Sequence, residues 1–585
     1  MSKVVIFSWL YLLSIPLFAQ DIKVAHLSCG YRNNPIGIDF VSPSMSWKLQ
    51  SSKHNVMQTA YQILVSGSQA NLEKNIGEVW DTKKVISSQS IQVKYSGAKL
   101  LSTKTYYWKV RVWDNYNNES AWSKTAFWQM GLLNTEDWKG AKWIAYEKLV
   151  DSNVNILPTD GKKDKYNANN VLPMFRKDFS VTKMVKKATA FISGLGHFEM
   201  SFNGTKVGDD FLAPGWTKYD KEALYVTYDL TKQIKKGVNA IGIMLGNGFY
   251  YVPPVKDRYR KLKVAYGYPK MICRVLVEYT DGTSDNIISN QTWKTDKSPV
   301  TFSSIYGGED YNANLEQKGW NIASFNDSKW KPALIVDGPQ LKAQKEEPVK
   351  IFDKFSPKNI INTMTGEWVY DLSQNSSAII ELKVRGKKGD TIRITPAELI
   401  KEDGSVTQKN IGGPSYFTYI LKGDGLETWR PKFFYTGFRY LQVRGGNPKG
   451  KENTSGKAVI EDLVALHVRN AADQVGKFST SNELFNKTSN LIDWSIKSNM
   501  VSVFTDCPHR EKLGWLEQLH LMGNSVGYNY DAAPLFKKAL ADMKNSQLPS
   551  GLIPEIAPEY VKFEWGGDMF RDSPEWGSSG ILLPW

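Results

Sequence analysis

The chain has 585 residues, of which 41% are hydrophobic and 23% are charged, and this composition excludes an intrinsically disordered protein. Its 74 Lys and Arg residues outnumber its 59 Asp and Glu residues, giving a formal net charge of +15, but the basic residues are scattered and argue against nucleic acid as a partner. The 3 Cys residues offer neither a disulfide framework nor a paired metal-ligand spacing, so we expect no metal ion and no cofactor.

Residues 1–20 have the pattern of a cleavable signal peptide. A positive start that includes Lys3 precedes the apolar run 4–19, and we expect cleavage near Ala19 or Gln20. The run is too short and too interrupted by proline for a confident membrane span, and no other stretch of the sequence is long and apolar enough. We therefore expect a periplasmic or secreted protein without a membrane span, with an uncleaved anchor as the alternative.

Residues 21–133 show the alternation of β-strands between short turns. This pattern predicts a β-sandwich of the fibronectin-III type. In the strand Tyr106–Asp114, the face that carries Trp108, Val110 and Val112 is apolar and should be buried.

Three further segments follow before the period of the sequence changes. Residues 134–171 are polar and include Trp138 and Trp143, which indicates a linker with one docked aromatic strip. Residues 172–347 and 348–473 carry alternating strands and hairpin turn signals, and we predict a jelly-roll sandwich for each of them.

The period changes to that of an α-helix at about Thr480. Thr480–Glu483 reads as a capping box, Leu513–Tyr528 has a second helical pattern, and Asp531–Pro534 opens a third. We therefore predict a helical domain over residues 474–585. The apolar run just before the last residues leads us to expect a truncated chain.

The stretch most informative about chemistry is Thr505–Gln518, between two predicted helices. It holds Asp506, Arg510 and Glu511 beside Trp515. Glycoside hydrolysis needs a carboxylic acid of raised pKa to protonate the leaving oxygen, and a second carboxylate that works at the anomeric carbon. A Trp beside a Glu desolvates the carboxyl, which raises its pKa, and also stacks on a sugar. The alternative is a capped helix start with surface ion pairs.

The stretch Asp506–Trp515, DCPHREKLGW, is similar to the active-site signature of bacterial α-L-rhamnosidases, glycoside hydrolase family 78. Other segments along nearly the whole chain resemble the same family in order, and such long ordered matches are more specific than one motif. These segments are Ser28–Asp39, Gly196–Glu199, Phe202–Gly208, Ala213–Thr217, Phe434–Tyr440, Trp576–Gly577 and Leu583–Trp585.

The resemblance implies three β-modules followed by the first part of an (α/α)6 catalytic barrel, and hydrolysis of terminal α-L-rhamnosyl residues with inversion. By matched position, Glu511 would be the general acid, Asp506 and Arg510 would bind rhamnose hydroxyls, and Trp515 would line the pocket. Trp576 is a weaker candidate for a sugar-facing aromatic, with a place in the barrel core as the alternative. The implied partner is a rhamnose-containing plant polysaccharide or glycoside.

The signature departs from the family pattern in two ways. Many members have a further acidic residue beside the Glu, which this chain lacks. Many also carry Gly-Asp shortly after the Trp, where this chain has Glu517 and Gln518. Either Glu517 substitutes for that acid as a substrate-binding residue, or Gln518 marks the loss of the charge. The resemblance also makes residues 172–347 the family's N-terminal module and residues 348–473 a concanavalin-like sandwich.

The family's general base is a Glu in the second half of the barrel. Six helical hairpins need about twelve helices, which residues 474–585 cannot supply at ordinary helix and loop lengths. We therefore expect the base to lie beyond residue 585 and the chain itself to be weakly active or inactive.

A non-catalytic exported carbohydrate-binding protein is the alternative function. Trp216 and Tyr250–Tyr251 would then form a sugar-binding face, although packing inside a β-module explains them equally well. A basic pectin-surface adhesin is a further idea, and it predicts salt-dependent polymer binding. Cys507, His509 and His520 match no zinc-binding pattern.

Overall fold

The computed structural model describes residues 22–158, 171–563, 571 and 573–584. The chain divides after Leu133 into two compact units. The proposed signal peptide lies outside the described residues, as does part of the segment predicted to be a linker.

The first unit is a β-sandwich. Two sheets, with strand orders β1-β2-β6 and β4-β3-β7-β8 and with β5 paired to β3, share one hydrophobic core. The predicted inner face of the long strand is confirmed, because Trp108, Val110 and Val112 are fully buried. The elements are β1 (Ile22–Cys29), β2 (Ser44–Ser51), β3 (Gln58–Ser66), α1 (Gln69–Glu73), β4 (Trp80–Asp81), β5 (Val85–Ile86), β6 (Val93–Lys94), β7 (Thr105–Asp114) and β8 (Ala126–Gln129).

The second unit opens with a second sandwich. Its strands are β9 (Trp143–Ala145), β10 (Pro173–Val181), β11 (Val185–Leu195), β12 (His197–Phe202), β13 (Thr205–Lys206), β14 (Glu222–Asp229), β15 (Gly237–Gly246), β16 (Lys270–Tyr279), β17 (Ser284–Ile288) and β18 (Lys294–Lys297). The chain continues with β19 (Val300–Ser304), β20 (Gly308–Asn312), β21 (Lys331–Pro332), β22 (Leu334–Val336) and β23 (Gln340–Ala343). One sheet has the order β13-β12-β15-β10-β18-β21 and the other β22-β9-β16-β11-β14-β23, with β17 paired to β16.

The segment predicted to be a linker contributes to this sandwich. Strand β9 pairs with both β16 and β22, and Ile144 at its centre is fully buried in the core. Trp138 and Trp143 are also buried. The prediction missed this short strand because residues 134–171 are mostly polar. The three apolar residues of β9 are enough to form a strand, since strands on both sides supply its hydrogen bonds.

The third sheet supports the helical region. Its strands are β24 (Val349–Phe355), β25 (Asn359–Asn362), β26 (Trp368–Arg385), β27 (Thr391–Ala397), β28 (Leu399–Ile400), β29 (Val406–Thr407), β30 (Tyr416–Ile420), β31 (Glu427–Trp429), β32 (Thr436–Arg444), β33 (Gly446–Pro448) and β34 (Ala458–Asn470). The sheet runs in the order β19-β20-β30-β27-β32-β26-β34-β24, while β25 and β31 pair with β26, β33 pairs with β34, and β28 pairs with β29.

Strands β19 and β20 belong to this third sheet, although residues 172–347 are predicted to form a separate module. Strand β20 pairs in parallel with β30. Its fully buried Glu309 accepts hydrogen bonds at 2.8 Å from the backbone N–H groups of Lys432 and Phe433. Pairing between strands more than 100 residues apart leaves no local signal in the sequence, so the predicted boundary missed it.

The helices follow the third sheet. They are α2 (Glu483–Asn499), α3 (Leu516–Asn529), α4 (Ala533–Ser546), α5 (Pro574–Gly577) and α6 (Ser579–Leu582), and short 3-10 turns occur at Thr135–Trp138, Asp151–Asn153, Ala313–Leu315 and Lys409–Ile411. The predicted capping box is wrong by two residues, because the Asn482 side chain caps α2 by accepting from the N–H of Leu484, while Thr480 bonds to Asn486. Pro534 near the start of α4 lies where a helix tolerates proline.

Helix α2 packs on the third sheet through one face only. Trp494 lies against Phe355 and the buried His467, with ring centroids 5.5 and 5.4 Å away. On its other face Leu484 and Leu491 are 67% and 71% exposed, as expected for a helical region with uncovered apolar faces. Within the described part of the chain, no helix is long and apolar enough to cross a membrane.

Candidate active site

The loop between α2 and α3 carries the signature residues and is held in a closed shape. The backbone N–H of Asp506 donates to the carbonyl of Leu513, and the N–H of Leu513 donates to the Asp506 carboxylate, both at 3.1 Å. The loop also docks on the third sheet, because the N–H of Gly437 in β32 donates to the carbonyl of Pro508 at 3.1 Å. We call residues 500–515 the signature loop.

Glu511 lies at the centre of the candidate site. Its Oε2 accepts a hydrogen bond of 3.3 Å from the indole N–H of Trp515, and its Oε1 lies 3.2 Å from Nζ of Lys261. The guanidinium of Arg510 is 3.9 Å from the same oxygen. The side chain of Glu511 keeps 14% of its surface exposed, so the carboxyl is sheltered and still reachable.

Asp506 and Cys507 form the inner side of the loop. The thiol of Cys507 lies 3.0 Å from Oδ2 of Asp506. Burial raises the pKa of Asp506, and repulsion from the nearby Glu511 raises it further. Burial also raises the pKa of the Cys507 thiol to about 11, with a smaller contribution from Asp506. Two carboxyl groups that interact in one partly buried site are the arrangement in which acid and base roles become separated.

The aromatic wall of the site is larger than the sequence indicated. Trp515 stacks on Phe563, with ring centroids 5.6 Å apart and planes inclined by 18°. Trp576 lies 6.4 Å from Trp515 and packs, half-buried, against the hydrophobic core of the helices. These contacts give Trp576 a packing role, while a sugar-facing role stays a prediction.

The remaining predicted site residues differ in how near they lie to Glu511. The side chain of Arg510 is 47% exposed and borders the carboxyl. Glu517 lies in the first turn of α3, where the helix dipole favours a carboxylate. The structure therefore brings together Glu511, Asp506, Arg510 and Trp515, and places Glu517 on the adjoining helix.

Two residues of the second sandwich approach the site and were missed by sequence reasoning. Lys261 contacts Glu511, and burial together with the charge of Glu511 raises the pKa of the neighbouring Tyr259. Both residues come from the basic segment 256–263, about 250 residues before the signature. Its cluster of Lys and Arg was the only available signal, and it did not indicate which carboxyl the segment would meet.

The rim of the site on the third sheet is a polar network around Glu398. Its carboxylate accepts hydrogen bonds from Asn375 at 3.0 Å and from Asn410 at 3.1 Å. Nδ1 of His509 lies 3.4 Å from the same carboxylate, and burial lowers the pKa of this histidine. Glu398 thus supports the signature loop from the side.

The alternative sugar-binding face on the second sandwich is wrong. Trp216, Tyr250 and Tyr251 are all buried, and Trp216 stacks on Phe249 with ring centroids 3.9 Å apart. The hydroxyl of Tyr560 donates to the carbonyl of Phe249, so these aromatics join the sandwich to the helical region. Packing, the other interpretation of these residues, explains them.

No group of three or more His, Cys, Asp or Glu side chains able to hold a metal ion occurs among residues 22–158, 171–563, 571 and 573–584. Nδ1 of His520, a residue that matches no zinc-binding pattern in the sequence, lies 2.6 Å from the hydroxyl of Ser579. That hydroxyl donates to the carbonyl of Leu516 and fixes α6 against α3.

Four family models match the chain one after another. They are the Rha78A-like N-terminal immunoglobulin domain at residues 24–134, the α-L-rhamnosidase N-terminal domain at 183–353, the bacterial α-L-rhamnosidase concanavalin-like domain at 361–465, and its six-hairpin glycosidase domain at 473–585. The first module is thus matched by an immunoglobulin-domain model, whereas the fibronectin-III type was predicted.

Named relatives and solved structures agree with these models. The chain is 35% identical to an α-L-rhamnosidase from Formosa agariphila over 95% of its own length and 59% of that protein. It matches the structure of an α-L-rhamnosidase from Dictyoglumus thermophilum with TM-score 0.86 and 37% identity, over 96% of this chain and 61% of that one. It matches the Streptomyces avermitilis α-L-rhamnosidase complexed with L-rhamnose with TM-score 0.86 and 25% identity, over 96% of this chain and 68% of that one.

The chain thus spans about three fifths of the length of the first relatives it matches, with 59% of the Formosa protein covered. Over that span the order of the modules and the fold agree with one family. The chain belongs to the bacterial α-L-rhamnosidase family.

Proposed function

We propose that this protein is an inverting glycosidase that removes terminal α-L-rhamnosyl residues. The observation that carries the proposal is the position of Glu511, a sheltered carboxyl between an indole N–H and an ammonium group at the mouth of the signature loop. A sheltered carboxyl that is still reachable from solvent, beside an aromatic wall, is in a position to protonate a glycosidic oxygen. The proposed sugar, L-rhamnose, is inferred from relatives that are named α-L-rhamnosidase.

The proposed roles follow from the contacts of each residue. Glu511 donates the proton to the leaving oxygen, and Asp506 and Arg510 bind rhamnose hydroxyls through charge-assisted hydrogen bonds. Trp515 supports the apolar face of the sugar. Since Phe563 stacks behind it, the indole plane of Trp515 is fixed before substrate arrives.

Two further residues have weaker support. Glu517 is assigned to substrate binding because it begins the helix that follows the loop, and Trp576 because its ring borders that of Trp515. Helices α2 to α6 would be the first part of an (α/α)6 barrel, a proposal supported by the six-hairpin domain model at residues 473–585.

The general base is not assigned to a residue of this chain. Asp506 is the carboxylate that interacts electrostatically with Glu511, but the Leu513 N–H and the Cys507 thiol engage both of its oxygens. An inverting enzyme also needs about 6.5–9.5 Å between its two carboxyls to admit the attacking water. We therefore expect turnover by this chain to be slow.

The cellular location and the natural substrate are also proposals. The positive start and apolar run of residues 1–20 support export to the periplasm or the medium. A rhamnose-containing plant polysaccharide or glycoside is the proposed substrate, and the charge of +15 suits a polymer with acidic groups.

Glu511→Gln tests the proposed acid. Removing the proton donor should lower turnover of methyl α-L-rhamnoside at least ~10²-fold, because a poor leaving group depends on protonation. Turnover of 4-nitrophenyl α-L-rhamnoside, with its stable phenolate, should fall less. The control is Glu483→Gln, an exposed Glu in the first turn of α2. Equal rates for the parent and Glu511→Gln on both substrates would contradict the proposal.

A further inference from the structure

Lys512, the residue after Glu511, is fully buried beneath the candidate site. Its Nζ donates hydrogen bonds to the carbonyls of Ile305 at 2.5 Å and Tyr435 at 2.6 Å. Lysine is among the residues least often found completely buried without a counter-charge. Among the residues that the structure describes, no carboxylate contacts this ammonium, so both of its acceptors are neutral backbone groups.

Both acceptors belong to the third sheet at positions far apart in sequence. Ile305 lies in the connection between β19 and β20, and Tyr435 directly precedes β32. The ammonium also lies 4.6 Å from the ring centre of Phe434 and 4.7 Å from that of Tyr435, at cation–π distance. Lys512 therefore fastens the signature loop to two separate parts of the sheet beneath it.

The backbone of the loop reverses at Lys512. Its φ of 55° is in the left-handed region, which is uncommon for residues other than glycine. The next residue, Leu513, closes the loop on Asp506, because its carbonyl accepts from the Asp506 N–H and its N–H donates to the Asp506 carboxylate. At this turn the Lys512 side chain enters the protein interior, while the carboxyl of Glu511 meets Lys261 and Trp515 at the rim.

We propose that Lys512 is a positioning residue for catalysis, which holds the Glu511 carboxyl and the Asp506 carboxylate in their working geometry by anchoring the loop to the third sheet. The proposal rests on the rhamnosidase function proposed above. Lys512 touches neither of the two carboxyls, so its effect on the reaction passes through the backbone of the loop.

Plain packing is the competing explanation, and the contacts oppose it. Met has nearly the same length and volume and would fill the slot with no ion to desolvate. Burial lowers the pKa of Lys512 to about 7, which shows that the ammonium is disfavoured there. What lysine supplies here and methionine would not is the pair of hydrogen bonds that tie the loop to the third sheet.

The test compares the parent chain with Lys512→Met, using Lys538→Met as a matched control. Lys538 is also a buried lysine, but its ammonium pairs with Asp542 within α4 instead of with the third sheet. In Lys512→Met, kcat on methyl α-L-rhamnoside should fall ~10²-fold with KM within ~3-fold, because a displacement of about 1 Å in a reacting group has effects of this size. On 4-nitrophenyl α-L-rhamnoside, kcat should fall by less than ~10-fold, since protonation matters less there.

A second readout is independent of turnover. Cys507 is the partly exposed cysteine of the loop, whereas Cys29 and Cys273 are buried. If Lys512→Met loosens the loop, local opening should expose Cys507 more often. The rate at which a chromogenic disulfide reagent modifies Cys507 in the native variant should then rise about tenfold or more. Lys538→Met should react at the parent's rate. Lys512→Gln keeps two N–H donors, so its rate of Cys507 modification should lie between those of the parent and Lys512→Met. If Lys512→Met does not fold, the comparison is made with Lys512→Gln instead.

The outcomes separate the two proposals. If the parent hydrolyses neither rhamnoside, turnover gives no support to the proposed function, and the thiol rates alone decide the role of Lys512. A faster Cys507 reaction in Lys512→Met then supports the anchor. Equal thiol rates in the parent and Lys512→Met, or an equal loss of kcat on both substrates in an active enzyme, would overturn the positioning role.

Discussion

At the residue scale, Glu511 gains its distinct environment from three different parts of the chain. Trp515 follows it by four residues, Arg510 precedes it directly, and Lys261 comes from the second sandwich. The first two contacts could be predicted from the spacing of the signature. The third could not, because pairing with a residue 250 positions away depends on how two modules pack, and the basic segment that holds Lys261 does not indicate which carboxyl it meets.

Asp506→Asn tests the electrostatics of the inner carboxyl. Because the pKa of Asp506 is raised in the folded protein, its contribution to stability is present at low pH and is lost as the pH rises through the raised value. The asparagine imitates the protonated form. We therefore expect the variant to melt at a higher temperature than the parent at pH 8 and at the same temperature at pH 4.

The same variant should lose affinity for sugar. Hydrogen bonds to a charged group contribute about 1.5–3 kcal/mol, so binding of L-rhamnose measured by calorimetry should weaken about 10- to 100-fold. Asp424→Asn, at an exposed position of the third sheet, serves as the control and should leave melting and binding unchanged. A lower melting temperature at pH 8 and unaltered rhamnose binding would show that Asp506 is only structural.

At the element scale, the signature loop depends on close contact with strand β32. A Cβ added at Gly437 would lie 2.6 Å from Cγ and 3.4 Å from Cβ of Pro508. No side chain fits there unless the proline ring moves. The glycine therefore allows the loop to lie directly on the strand, with the backbone hydrogen bond of 3.1 Å between Gly437 and Pro508.

Gly437→Ala should disturb this docking. Overpacking of a close contact costs about 1–3 kcal/mol, and we expect a loss of that size in the free energy of unfolding measured in urea. Rhamnoside turnover should fall as well, since Pro508 lies three residues before Glu511. The control is Gly523→Ala in α3, where an added Cβ meets nothing within 4 Å and should stabilise the helix by about 0.5–1 kcal/mol. Equal stability of Gly437→Ala and the parent would show that the loop does not need this contact.

Helices and strands with a strong hydrophobic periodicity could be predicted from the sequence, whereas the residues at which they begin and end could not. The buried face of β7 and the approximate positions of α2, α3 and α4 follow from periodicity. The start of α2 was wrong because Thr480, Asn482 and Asn486 all offer side-chain acceptors, and only the folded geometry selects Asn482 as the cap. Competing caps of similar chemistry leave a sequence ambiguous by a residue or two.

At the scale of the whole molecule, the order of β-modules before helices could be predicted, and the sharing of strands between modules could not. Strands β19 and β20 follow the second sandwich in sequence and pair within the third sheet. This pairing places Ile305, which follows β19, where its carbonyl accepts a hydrogen bond from the ammonium of Lys512. The surroundings of the signature loop therefore depend on a long-range pairing. This explains why the sequence indicated the residues of the loop and did not indicate the parts of the sheet that support it.

The most direct test of the proposed role of Glu511 is a crystal structure of the chain with methyl α-L-rhamnoside, a substrate whose poor leaving group keeps it intact during slow turnover. We predict the sugar ring against Trp515, with its glycosidic oxygen within about 3 Å of a carboxyl oxygen of Glu511, the distance needed for proton transfer. We also predict that Asp506 and Arg510 contact the ring hydroxyls. A rhamnoside bound at another surface, or bound with its glycosidic oxygen turned away from Glu511, would contradict this role.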